Sequence, residues 1–190
     1  MAHPVCFYKI LILSIWLWFL CPMSNAAEDA FPRTPSGEFE VKVLPAGILI
    51  EVVDETAGYF DSNNQLFREL FRYIRRQDIS MTAPVEAGIN PARMAFWVGR
   101  GDHSKLAHEE EGVRVVEVEE RQVASLGVRG GYSQANFERN RKRLLEWIDD
   151  QKTLVATGDP YAIYWNSPFV PWFIKRSEIH VPVREAGGLQ

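Results

Sequence analysis

From Glu38 onward the chain runs one order of elements twice, and that doubling restricts the folds open to it. Glu38–Leu44 and Ile48–Val53 read as strands on either side of Pro45-Ala46-Gly47, a turn tripeptide. A helix over Asp61–Arg76 follows, then strands over Ile79–Val85 and Arg93–Val98. In the second half, Val113–Val118 and Val123–Arg129 form a strand pair around Glu119–Gln122. A helix over Ser133–Asp150 and strands at Tyr161–Trp165 and Glu178–Val183 close the series, offset by about 70–75 residues. The implied class is α+β, with two pseudo-equivalent ββαββ halves. Units of this kind pack their sheets together, with the helices outside or over a cleft.

The helices carry the clearest periodicity. Leu66, Phe67, Leu70, Phe71 and Ile74 make one apolar face of the first, and Asp61 or Ser62 can cap its start. Phe137, Leu144, Leu145 and Ile148 mark the buried stripe of the second, with Ser133 as N-cap and Gly130-Gly131 allowing a sharp turn before it. Along one strand, Met94, Phe96 and Val98 alternate with Arg93, Ala95 and Trp97.

Residues 1–26 read as a signal peptide rather than as part of the fold. Lys9 is the positive n-region, Ile10–Leu20 is apolar apart from Ser14, and Ser24 and Ala26 suit cleavage before Ala27. The expected location is therefore periplasmic or secreted; the alternative is a membrane tether through an uncleaved segment. Cleavage removes Cys6 and Cys21, the only cysteines. That excludes disulfides, thiol catalysis, thiolate ligation and covalent haem attachment from the mature chain. Loss of Lys9 moves the formal charge from −4 to −5, which argues against nucleic acid as a partner. No membrane partner is expected after cleavage. Residues 27–37, with Pro32 and Pro35, read as a flexible lead-in, 38–185 as one domain, and 186–190 as a frayed tail. Gly99–Gly112, holding His103 and His108, connects the halves.

Two segments are distinctive: Ile79-Ser80-Met81-Thr82-Ala83-Pro84-Val85, and the run from Tyr161 through Pro171-Trp172-Phe173-Ile174-Lys175-Arg176-Ser177-Glu178-Ile179. Together they resemble the SOUL family of haem-binding proteins, which carry an I-x-M-T-x-P-V strand and a late P-W-F-[LI]-[RK]-R-x-E-[VI] run. Gly130-Gly131-Tyr132 matches a further family feature. The resemblance covers about Phe39 to Val183 and implies a distorted antiparallel β-barrel flanked by two helices. It also implies reversible binding of haem or a related tetrapyrrole beside the first helix, for carriage, buffering or sequestration. The chain departs from the family in the short Arg75–Asp78 link, which lacks a Gly-Asn loop, and in Val170, where a basic residue is common.

Haem needs an apolar wall and cations for its carboxylates. Phe67 and Phe71, beside a basic stripe of Arg68, Arg72 and Arg75 or Arg76, offer both on the first helix. Arg72 matches a basic position in the resembling family. Trp172 belongs to a late aromatic cluster with Tyr161, Tyr164, Trp165, Phe169 and Phe173, which either stacks on a planar ligand or packs the fold. The candidate haem-binding set is thus Phe67, Phe71, Arg72, Arg75 and Trp172, with weak or no axial ligation: His103 and His108 sit on a loop, and His180 points away from its strand's apolar face. Met81 either faces the cleft or packs in the core. No catalytic or metal-binding set is expected. Two other readings stay open. One is a small-molecule hydrolase or drug-binding module related to gyrase-inhibitor-like domains, with a desolvated Glu178 near Tyr161 and Tyr164 as general base. The other is a protein-interaction domain without a ligand.

Overall fold

The computed structural model describes residues 29–106, 109–110, 112–167 and 169–187. The signal-peptide segment, His108 and the last three residues lie outside them. In chain order the elements are β1 (Phe39–Leu44), β2 (Gly47–Asp54), α1 (Tyr59–Arg76), β3 (Val85–Gly88), β4 (Ala92–Val98), β5 (Glu109–Glu110), β6 (Val113–Val118), β7 (Arg121–Arg129), α2 (Gln134–Gln151), β8 (Leu154–Ala156), β9 (Tyr161–Tyr164) and β10 (Arg176–Glu185). Short 3-10 turns span Arg100–Lys105 and Trp172–Ile174. No described helix is long and apolar enough to cross a membrane.

The strands form an antiparallel path in the order β1-β7-β10-β9-β3-β4-β2-β6-β5, with β8 pairing the far end of β10. The architecture is α+β. Two expected hairpins do not form. β1 pairs with β7 while β2 pairs with β4 and β6, so the strands flanking Pro45 part company. β6 and β7 likewise diverge at Glu119. Alternation identifies a strand but not its partner, and consecutive strands pair only roughly two-thirds of the time. Each half of the chain therefore lends its first strand to the outer edge of the other half's sheet. The path ends at β1 on one side and β5 on the other, so the expected barrel does not close by hydrogen bonding among the described residues.

Alternation along the strands gives the sheet two faces. One packs under the helices: Ile50, Met94, Phe96, Leu126, Ile179 and Val181 meet Leu66, Leu70, Tyr73, Leu144 and Ile148. Ser133 caps α2 as expected, accepting from the Asn136 amide. α1 instead begins at Tyr59, after a Gly58 cap with no side-chain bond, which puts Asp61 and Ser62 inside the first turn. The other face carries a smaller core of Leu44, Leu49, Trp97, Val123, Ile163 and Trp165.

The lead-in covers that second face and is not free from Asp29 onward. Phe31 is only 4% exposed and stands edge-on between Trp97 and Trp165, at 5.7 and 5.3 Å. The Ala30 amide donates to Ala83 O at 2.8 Å, and Ser36 bridges Gly127 on β7. A Cβ at Gly127 would stand 2.1 Å from Pro35 O, so only glycine lets the segment pass this close. The prolines read as flexibility instead hold the segment extended along the sheet.

Candidate functional site

The Ile79–Val85 segment, expected as a strand, is irregular until Val85 apart from a bridge at Ala83, and several of its residues have separate tasks. Ile79 is buried below α1, and its amide donates to Ile74 O at 2.9 Å. The Thr82 hydroxyl donates to Trp97 O at the end of β4. Ala83 receives the N-terminal segment. Met81 and Val85 face outward into a cleft.

That cleft has a volume of about 410 Å3 and lies between α1, the Met81–Val85 segment and the end of β9. Tyr59, Asn63 and Phe67 recur along one face of α1 and form its first wall. Tyr132, Tyr164 and Trp165 form the second, with Asn166, Ser167 and Lys175 among the other lining residues. Tyr164 links the walls, stacking on Tyr132 at 4.2 Å and tilted against Tyr59 at 5.9 Å. Burial holds all three phenols neutral: it drives Tyr59 and Tyr164 far above the usual range and raises Tyr132 to about 12. Tyr132 is fixed by donation to Arg176 O at 2.8 Å and acceptance from the Asn166 amide at 3.0 Å. Lys175 is the one cation among the described lining residues, its Nζ 4.9 Å from the Tyr132 ring centre.

The expected site residues divide. Phe67 lines the cleft. Phe71 stacks on Phe67 at 5.7 Å but is 39% exposed and outside the lining. Arg72 and Arg75 are exposed and also outside it. Trp172 is 70% exposed. The aromatic run thus splits: Tyr164 and Trp165 turn inward, while Phe169, Trp172 and Phe173 turn to solvent. Tyr59, Asn63, Asn64, Tyr132 and Lys175 were missed. Helical spacing from Phe67 reaches Asn63 and Tyr59, but Tyr132 and Lys175 come from other elements and have no local signal.

No described histidine lines the cleft. His103 sits on the 3-10 turn with Nε2 3.2 Å from Val98 O. His180 is fully buried on the opposite sheet face. No described group of residues has the composition of a metal centre. Met81, 37% exposed, is a thioether within the lining.

Glu178 lies with His180, across the sheet from the cleft. It is 0% exposed and collects donors from Lys42 Nζ at 2.6 Å, Trp165 Nε1 and His180 Nε2 at 2.7 Å, the Thr34 amide at 2.8 Å and the Ser125 hydroxyl at 3.0 Å. Burial alone would raise its pKa, but the bonds from His180 and Lys42 outweigh burial and bring it down to about 2. Burial lowers His180 below its ordinary value. Neutral His180 donates to Glu178 through Nε2, leaving Nδ1 without a partner. Glu86 is held in a similar way, by Arg121 at 2.6 Å, Trp97 Nε1 at 3.2 Å and Arg93 at 3.3 Å.

An open two-faced sheet with a tyrosine-walled pocket under one helix defines an α+β domain whose cleft has the size of a small-ligand site. The profile of the SOUL heme-binding protein family matches residues 30–182, and the chain belongs to that family. No curated protein sequence matches it. The fold is similar to the EcmrR C-terminal domain, with TM-score 0.63 and 13% identity over 78% of this chain and 98% of that one. EcmrR in a DNA complex is matched over 58% of its length and 78% of this chain, at 13% identity and TM-score 0.64. A protein described as a hydrolase from Listeria innocua matches with TM-score 0.55 and 15% identity over 80% of this chain and 94% of that one.

Proposed function

We propose that this domain binds haem or a related tetrapyrrole reversibly in the cleft under α1, for carriage, buffering or sequestration. The observation that carries the proposal is the cleft itself: two aromatic walls, one cation and no carboxylate among its described lining residues, in a chain of the SOUL family. Its volume lies within the ~300–1,000 Å3 usual for ligand sites. The residues fit a flat apolar ring. Tyr59 and Phe67 would cover one side and Tyr132, Tyr164 and Trp165 the other, with Lys175 at a propionate. Met81 is the soft donor that would approach the metal; packing and charge would supply most of the affinity. A bound haem would bring its own iron chemistry, while these residues hold the ring and exclude water from its apolar faces. The positive, apolar and small-residue pattern of residues 1–26 supports action outside the cytoplasm.

Hemin titration tests the reading. The expected result is a shifted Soret band with saturable quenching of tryptophan emission, because Trp165 lies in the wall. Lys175→Glu should weaken binding roughly tenfold or more, the scale of a lost charge-assisted bond. Arg72→Glu should leave it unchanged, since Arg72 lies outside the lining. A flat, unsaturable response would overturn the proposal; loss of affinity in Arg72→Glu alone would move the site off this cleft.

A further inference from the structure

The segment between β9 and β10 turns large apolar side chains to solvent. Phe169 is 96% exposed, and Trp172, Phe173 and Ile174 are exposed beside it. Trp172 and Phe173 stand edge to face at 5.9 Å, so part of the patch is ordered by its own contacts. Contiguous exposed apolar groups of this size mark a contact surface. The charge within the segment has one sign. From Pro160 to Ser177 the sequence has no carboxylate, and Lys175-Arg176 directly follow the apolar residues. Arg129 of β7 joins them, its Nε donating to Phe173 O at 2.9 Å. In a chain of net charge −4, this edge is locally cationic.

We propose that this segment docks the domain on an anionic lipid surface. Phe169, Trp172, Phe173 and Ile174 enter the boundary between headgroups and acyl chains, while Arg129, Lys175 and Arg176 meet lipid phosphates. Tryptophan and phenylalanine favour that depth, and neighbouring cations are drawn to the surface potential of anionic lipid. A lipid surface suits the arrangement better than a protein groove, because it requires only an apolar tip beside a cationic base. The docking is peripheral and replaces the expectation that the mature chain has no membrane partner. Asn166, Ser167 and Lys175 belong both to this segment and to the cleft lining, so docking turns the mouth of the cleft toward the lipid. The proposal stands independently of which ligand the cleft takes.

The test is co-sedimentation of tetrapyrrole-free protein beginning at Ala27 with vesicles of equal parts phosphatidylcholine and phosphatidylglycerol, and with phosphatidylcholine alone. That start keeps every described residue and omits the apolar run Ile10–Leu20, which would bind lipid by itself. Binding to the anionic vesicles should be roughly tenfold or more tighter than to phosphatidylcholine, and should weaken with salt. A Phe169→Ser, Trp172→Ser double variant should lose at least about tenfold in anionic-vesicle binding, as lost apolar insertion requires, with unchanged thermal unfolding. Quenching of tryptophan emission by bromine-labelled acyl chains should be present in the parent and strongly reduced in Trp172→Ser. No binding to anionic vesicles, or equal binding by the double variant, overturns the proposal. Self-association of the parent that the double variant abolishes, with vesicles left unbound, would also overturn it and make the patch a protein interface.

Discussion

Glu178→Gln isolates what the buried carboxylate contributes to the fold. In the native protein the group ionises at about 2 against an ordinary 4.5. At 1.36 kcal/mol per pH unit, that difference represents about 3 kcal/mol of stability at neutral pH. Removal of one partner from a buried ion pair gives a similar figure, ~3–5 kcal/mol, here because Lys42 would lose its nearer carboxylate, keeping only Glu40 at 3.6 Å, while remaining largely buried. For a domain of this size the loss corresponds to a Tm lower by roughly 6–12 °C.

The pH dependence carries the sharper test. A depressed carboxylate stabilises the fold fully above its unfolded pKa, near 4.5, and loses that contribution as pH falls toward about 2. Parent and variant should therefore differ most at neutral pH and converge in acid. His180 acts in a different window. Burial lowers its folded pKa, so stability falls as pH drops below the ordinary 6.5, before the carboxylate titrates. Thermal unfolding followed by circular dichroism, in steps from neutral pH into acid, separates the two. Equal Tm values at neutral pH would refute the argument, as would a difference that stays constant through the acid range.

Phe31→Ala should cost ~3–5 kcal/mol in denaturant unfolding, the value of a buried aromatic, whereas a flexible lead-in would give no change. Gly127→Ala should lift the same segment off β7, and faster proteolysis after Arg33 would report it. In alkali, the raised phenols of Tyr59, Tyr132, Tyr161 and Tyr164 favour the neutral form in the fold, so stability should fall as pH climbs past about 10. Tyrosinate absorbance and circular dichroism should then change together, and a completed phenolate titration in an intact fold would contradict the burial argument.

The elements were legible because their signals are local. The α1 stripe of Leu66, Leu70 and Ile74 is buried as its spacing required, and Ser133 caps α2. Strand partners were not legible, since period-two alternation is the same whether β1 pairs with β2 or with β7. The site was legible by half for the same reason. Phe67 has helical neighbours that lead to it, whereas Tyr132 and Lys175 reach the cleft only through tertiary folding. The arginine stripe shares the helix but not the cleft wall, because a position five residues from Phe67 has already turned away. Phe31 was hidden by its surroundings, as Pro32 and Pro35 read equally well as a loose tail or a fixed strap.

The hydrolase reading depended on a desolvated Glu178, and the structure supplies the desolvation without the basicity. A general base works best with a pKa near the operating pH. Donors from five residues, Thr34 contributing both its amide and its hydroxyl, saturate this carboxylate and hold its pKa far below that range. Its lone pairs are occupied, and the sheet separates it from the tyrosine-walled cleft. Trp165 connects the two regions: the residue lines the cleft, while its indole packs edge-on against Phe31 and donates from Nε1 to Glu178. The carboxylate thereby fixes the orientation of the Trp165 indole, and with it a residue of the cleft lining, from across the sheet. Glu178→Gln should consequently alter hemin affinity only through Trp165, and a Trp165→Phe background should remove that coupling in a double-mutant cycle. Persistence of the coupling in that background would mean that Glu178 reaches the cleft by another route.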